Sequence, residues 1–148
     1  MFDLDPEQRS SITVEMQMSR SYSILLSEPS PLLREKIAGV LARDKRIWSV
    51  TQVNGRGGLV RGASRIQPDF ILADLVTLND PETLMFIRRS SSTSRIIALV
   101  DSLSKPYMEA SGRIGLDGTI ERGRVEEGIL AEILSLDEAE EVTRGKQE

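Results

Sequence analysis

The chain has 148 residues, 39% of them hydrophobic and 28% charged, which fits one soluble domain with its own core and excludes a second large domain, a fibrous chain or a wholly disordered one. With no Cys and no His, disulfides, thiolate or imidazole metal sites, and nucleophiles activated by His are excluded, leaving carboxylate, hydroxyl, Lys and Arg chemistry. The net charge of −4 is unevenly spread: residues 126–148 carry eight acids against two bases, and residues 16–125 carry sixteen Lys and Arg against eleven acids.

The basic residues of the body are scattered and accompanied by few aromatics, so they read as solvated faces and not as a nucleic-acid surface. No apolar run approaches the roughly 20 residues that cross a bilayer, and no signal-peptide pattern opens the chain. A cytoplasmic domain is the expectation.

Residues 1–20 stand apart as an N-terminal arm. Asp5-Pro6-Glu7 can begin a helical turn, and Ile12, Val14, Met16 and Met18 alternate at period two. The arm is either flexible or a strand added to a partner's sheet edge. Ile24-Leu25-Leu26 is a short apolar run suited to a strand buried on both faces of a parallel sheet. Ser30-Pro31 supplies an N-cap and a first-turn Pro, and Leu33, Ile37, Val40 and Leu41 then share one face of a helix ending near Asp44. Trp48 to Val53 alternates as a half-exposed strand. From Gly57 to Ile66 the glycine content makes a poor helix, although Leu59, Ala63 and Ile66 can line one face of a short one. Phe70-Ile71-Leu72-Ala73 and Ile96-Ile97-Ala98-Leu99-Val100 are further buried strands, separated by a helix opening at Asp80-Pro81-Glu82 and closing in the Ser90 to Ser94 tract. A weak helical pattern from Lys105 to about Arg113 and a short strand at Gly118-Thr119-Ile120 follow. Val125, Ile129, Leu130, Ile133 and Leu134 make the clearest amphipathic stripe, and residues 137–148 read as an acidic C-terminal tail.

Strands and helices thus alternate across residues 21–136, the pattern of a doubly wound α/β domain with helices on both faces of a five-stranded sheet. Such folds bind ligands beyond the carboxyl ends of their strands. The segments to inspect are therefore Ser27 to Ser30, Asp74 to Leu78, Val100 to Ser104, and Glu121 to Arg124. Nucleotide sites fail the inspection. No Walker-type loop is present, and Gly55-Arg56-Gly57-Gly58 has Val60 where a dinucleotide fingerprint needs its last Gly. The loop Ser27-Glu28-Pro29-Ser30-Pro31 is not the Ser/Thr/Gly-rich loop of a flavin phosphate cradle, and its Pro residues lack the N–H such a cradle uses. Asp74 remains, a carboxylate at the end of the central strand where an acyl-phosphate donor can approach it.

At this point the chain resembles the receiver domains of bacterial response regulators. Ile24 to Glu35 is similar to the first strand and helix of the receivers that usually precede a helix-turn-helix transcription domain. Pro68 to Leu75 is similar to the phosphoacceptor strand, and Gly115-Leu116-Asp117-Gly118 to the turn into the fifth strand. The resemblance implies a flavodoxin-like sheet of order 2-1-3-4-5, with Asp74 as phosphoacceptor. It places the family's Mg²⁺-holding acidic pair on Glu28 and Pro29, so one carboxylate is kept and one lost. Glu28 and Asp74 remain as weak Mg²⁺ candidates, with no other cofactor implied. The family's lysine falls on Arg122, a planar fork in place of a point charge. Its hydroxyl falls on Val100 and its aromatic switch on Thr119. The implied role is a two-component regulatory domain with a degenerate site, working through protein contacts and not as an enzyme. The alternative is a phosphorylation-competent receiver controlling transcription through a separate DNA-binding domain. A histidine kinase or other signalling protein is the implied partner. Homodimerisation through the face of the fourth and fifth strands and last helix is implied too, with no direct nucleic-acid or membrane binding. A carboxylate phosphatase using Asp74 with Glu28 or Asp101 is disfavoured, because Val76 stands where the usual second Asp belongs.

Overall fold

The computed structural model describes residues 21–102 and 105–147. The arm, residues 1–20, lies outside them. Strand β1 (Tyr22–Ser27) is buried along its whole length. Helix α1 (Pro31–Ala42) starts where the sequence places it: the Ser30 hydroxyl accepts the Leu33 N–H at 3.3 Å, and Pro31 takes the first turn. Then come β2 (Ile47–Gln52), α2 (Gly55–Ile66), β3 (Phe70–Asp74), a single helical turn α3 (Leu75–Leu78), α4 (Pro81–Ser90), β4 (Arg95–Val100), α5 (Lys105–Arg113), β5 (Gly118–Glu121), a 3₁₀ turn (Arg122–Arg124) and α6 (Val125–Gln147).

The sheet is wholly parallel, with the order β2-β1-β3-β4-β5. Its three central strands are the apolar runs and its edges are the more polar segments, as burial on two faces requires. Odd and even positions feed two separate cores. Ile24, Leu26, Phe70, Leu72, Ile97 and Leu99 meet Ile37 and Leu41 of α1 and Val125, Ile129 and Ile133 of α6. Leu25, Ile71, Ala73, Ile96, Ala98 and Val100 meet α2, α3 and α4 through Leu59, Ala63, Leu78, Leu84 and Ile87. The turn into β5 uses Gly115 at φ +73°, and Asp117 then accepts the Ile96 N–H at 2.7 Å, fixing the register of the edge strand.

Three findings differ from the sequence expectations. The glycine-rich stretch forms a full three-turn helix from Gly55, because glycine there permits close packing: a Cβ on Gly62 would lie 2.8 Å from Leu25 Cδ1. The segment after Asp74, to which the sequence pattern assigns no element, closes one helical turn. Finally, α6 runs without a break through Gln147, so the helix opened by the amphipathic stripe extends to 23 residues and takes in the acidic residues 137–147. No helix among the described residues is long and apolar enough to cross a membrane.

Candidate functional site at the carboxyl edge of the sheet

Strand register sets the site. Ser27 lies beside Ala73, Asp74 beside Leu99, and Val100 beside Glu121, so the residues that end or follow β1, β3, β4 and β5 emerge along one edge. These are Glu28, Asp74, Asp101 and Arg122, three acids and one base.

Glu28 follows β1 directly and its side chain is fully buried, at 0% exposure. A carboxylate removed from water must be compensated by charge and hydrogen bonds. Arg122 supplies both. Its Nη2 donates to Glu28 Oε2 at 2.9 Å, and its Nε lies 2.8 Å from Oε1, too poorly aligned for a hydrogen bond but well placed for charge attraction. The Ser30 N–H also donates to Glu28 Oε2, at 2.8 Å, and Arg34 Nη1 donates to the Glu28 carbonyl at 3.2 Å. The remaining arm of the guanidinium turns to Asp101, with Nη1 donating to Oδ1 at 2.9 Å. Burial works against the Arg122 cation, but the Asp101 and Glu28 carboxylates more than offset it and raise its already high pKa. One side chain therefore ties together the segments that follow β1, β4 and β5.

Asp74 is held differently. It caps the single turn α3, Oδ2 accepting both the N–H and the hydroxyl of Thr77 at 3.0 Å. The other oxygen, Oδ1, is buried and has no hydrogen-bond partner, while the residue as a whole is 8% exposed. Asp74 does not pair with Arg122. Of the three sequence-derived candidates, the structure joins Glu28 to Arg122 and leaves Asp74 with its own loop. The partnership of Asp101 with Arg122 and of Thr77 with Asp74 was not read from sequence. Asp101 was findable: it lies one place beyond Val100, which pairs with the residue preceding Arg122.

The donor set does not suit Mg²⁺. Such an ion asks for several charged or carbonyl oxygens in a near-octahedral shell. Glu28 is committed to Arg122 and to the Ser30 N–H, and Pro29 offers no side-chain donor. No group of three His, Cys, Asp or Glu residues able to hold a metal gathers among the described residues. The positions beside the acid are equally altered. Val100 is buried in the core at 1% exposure, and the Thr119 hydroxyl faces Met108 Sδ at 3.6 Å.

A comparison with protein-family models finds no match, and a comparison with curated proteins finds none either. Solved structures do match. The non-phosphorylated receiver domain of the Escherichia coli stress response regulator RcsB superposes with a TM-score of 0.72 at 14% identity, over 81% of this chain and 95% of that one. A LuxR-family two-component response regulator from Aurantimonas matches at 0.64 and 19% identity, covering 86% and 99%. The response regulator domain of Thermotoga maritima CheB matches at 0.63 and 17% identity, covering 79% and 96%. This chain spans 61% of the Salmonella typhimurium RcsB response regulator, a protein described as interacting with DNA. The fold is thus that of response-regulator receiver domains.

Proposed function

We propose that the chain is a receiver-like regulatory domain of a two-component system whose phosphorylation site is degenerate, and that it acts through protein contacts. The observation that carries this reading is the position of Arg122. Its guanidinium already neutralises Glu28, the surviving member of the acidic pair, so the positive charge that a receiver recruits as a metal ion is here part of the chain. Loss of the hydroxyl at Val100 and of the aromatic at Thr119 removes the usual route from a phosphoryl group to the exposed face. The output surface in this reading is β4, β5 and α6, used with a second copy or a signalling partner in the cytoplasm. No catalytic turnover is assigned to it.

A second reading has one observation in its favour. Asp74 Oδ1 is buried without a partner, and an unsatisfied carboxylate oxygen at a strand end is a candidate phosphoacceptor. In that case the domain is phosphorylation-competent and controls transcription through a DNA-binding domain elsewhere. Incubation with acetyl phosphate and Mg²⁺, followed by intact mass and amide spectra, separates the two. The degenerate reading expects an unchanged mass and spectrum. One phosphoryl group added to the native chain but not to Asp74→Asn establishes the second reading instead.

A further inference from the structure

We propose that the groove between α2 and the end of β2 is a docking surface for an extended acidic peptide of a partner protein. It lies at the β2 end of the sheet, opposite β5, and none of its bordering residues belongs to the strand-end group around Asp74 and Arg122.

Glycine makes the groove. Gly58, Gly62 and Ile66 recur one turn apart on one face of α2, and the two glycines bring the helix backbone onto its neighbours. A Cβ on Gly58 would lie 3.0 Å from Val53 Cβ, and one on Gly62 2.8 Å from Leu25 Cδ1. With no side chain at either position, a space of about 490 Å³ stays open beside Val53, within the range of ligand sites. Val53 and Ile66, both half-buried, give it an apolar floor. Its walls come from α2 and the end of β2 alone, which leaves it open along its length. Such a shape suits a chain laid along it better than a small molecule, which binding sites normally enclose on most of its surface.

The rim is basic and unneutralised. Arg61 and Arg65 stand on it, one turn apart and both exposed. Among the described residues neither takes part in an ion pair or a hydrogen bond. Residues 45–68 hold five bases and no acid. Two of the five are paired from outside that stretch, Arg46 by Asp44 and Arg56 by Asp80 at 3.9 Å. Nothing comparable reaches the groove, so complementarity asks for an acidic partner. The spacing fits an extended one. Four residues of helix rise about 6 Å, and alternate side chains of an extended chain lie about 6.8 Å apart. Such a peptide sets two carboxylates against the two guanidiniums while the residues between and beside them turn their side chains to the floor. A nucleic-acid strand is less well served, because none of the described residues bordering the groove is aromatic and able to stack a base.

The test follows the amide resonances of residues 51–66 in the full chain during titration with the peptide acetyl-Gly-Val-Glu-Ala-Glu-Val-Gly-amide and with its analogue carrying Gln for both Glu. The proposal expects saturable shifts at Gly58, Gly62 and Ile66 with the acidic peptide. Binding should be about tenfold weaker for the Gln analogue, and for the acidic peptide on the variant Arg61→Gln with Arg65→Gln. Removing the same charge elsewhere, in Arg43→Gln with Arg89→Gln, should leave the native affinity. All four arginines are exposed, and the Gln analogue reads the role of charge on the native chain itself. Absence of a saturable shift, equal binding of the two peptides, or equal binding by the native chain and the Arg61/Arg65 variant overturns the proposal. So do groove resonances that move on dilution of the chain alone, which would make a second copy the occupant. Tighter binding of a thymidine oligonucleotide than of the acidic peptide overturns it too, in favour of a nucleic-acid surface.

Discussion

Arg122 stabilises by geometry that a point charge cannot reproduce. It engages a fully buried carboxylate with two nitrogens and reserves a third for Asp101. Removing one partner of a buried ion pair leaves the other charged and dry, at a cost of about 3–5 kcal/mol. Arg122→Ala should therefore destabilise on that scale in urea denaturation, with Arg122→Lys intermediate because the fork is lost and the charge kept. Combining Arg122→Met with Glu28→Gln should cost less than the sum of the singles, a coupling of about 1 kcal/mol or more in a double-mutant cycle. Asp101→Asn should cost little, since that carboxylate is 63% exposed. A second pair gives a pH signature. Hydrogen bonds from the Arg46 side chain hold Asp44 down at about 2, below the ordinary 3.8. The pair's contribution is complete above pH 4 and disappears as pH falls through 2, because the unfolded chain takes up the proton first. Solvent around the half-exposed Arg46 limits it to about 1 kcal/mol. Asp44→Asn should thus lower the midpoint of unfolding at pH 6, with the difference shrinking as pH falls through 2.

The behaviour of α2 separates intrinsic propensity from packing. Gly62 sits where a Cβ would press on a Leu25 side chain at 0% exposure, while nothing lies within 4 Å of a Cβ on Gly39 in α1. Gly to Ala in a helix is worth about 1 kcal/mol, so Gly39→Ala should raise the melting temperature. At Gly62 the same gain is opposed by about 1–3 kcal/mol of overpacking, and Gly62→Ala should lower it. Calorimetry on the two variants reads the opposite signs directly. This is also where sequence reading falls short. Strands at Ile24, Phe70 and Ile96 are legible because burial on two faces writes an unbroken apolar run, and α1 is legible because Ser30-Pro31 is a local signal. The full length of α2 is not, because its glycines are justified by a strand thirty-seven residues earlier. Likewise Glu28, Asp74 and Arg122 are legible as strand-end residues, but the choice Arg122 makes among three carboxylates exists only once the strands are side by side.

The whole molecule keeps the receiver frame and changes what the frame holds together. The loops after β1, β4 and β5 are joined by a permanent cation, and the single turn after β3 is capped by Asp74 itself. Far from that edge, α6 is tied to the sheet by the Tyr22 hydroxyl on Asp137 at 2.6 Å and by Arg95 on the Leu136 carbonyl at 2.6 Å, and it continues to Gln147. A ligand shifts an equilibrium only by binding one state better than another. In the proposed reading Arg122 already neutralises Glu28, so that Mg²⁺ gains little differential affinity there. Titrating the native chain with Mg²⁺ while following the amide resonances of residues 28, 74, 101 and 122 tests this most directly. No saturable shift is expected at any of the four at millimolar metal. A saturable shift centred on Glu28 and Asp74 would show that the ion displaces Arg122, and would contradict that reading.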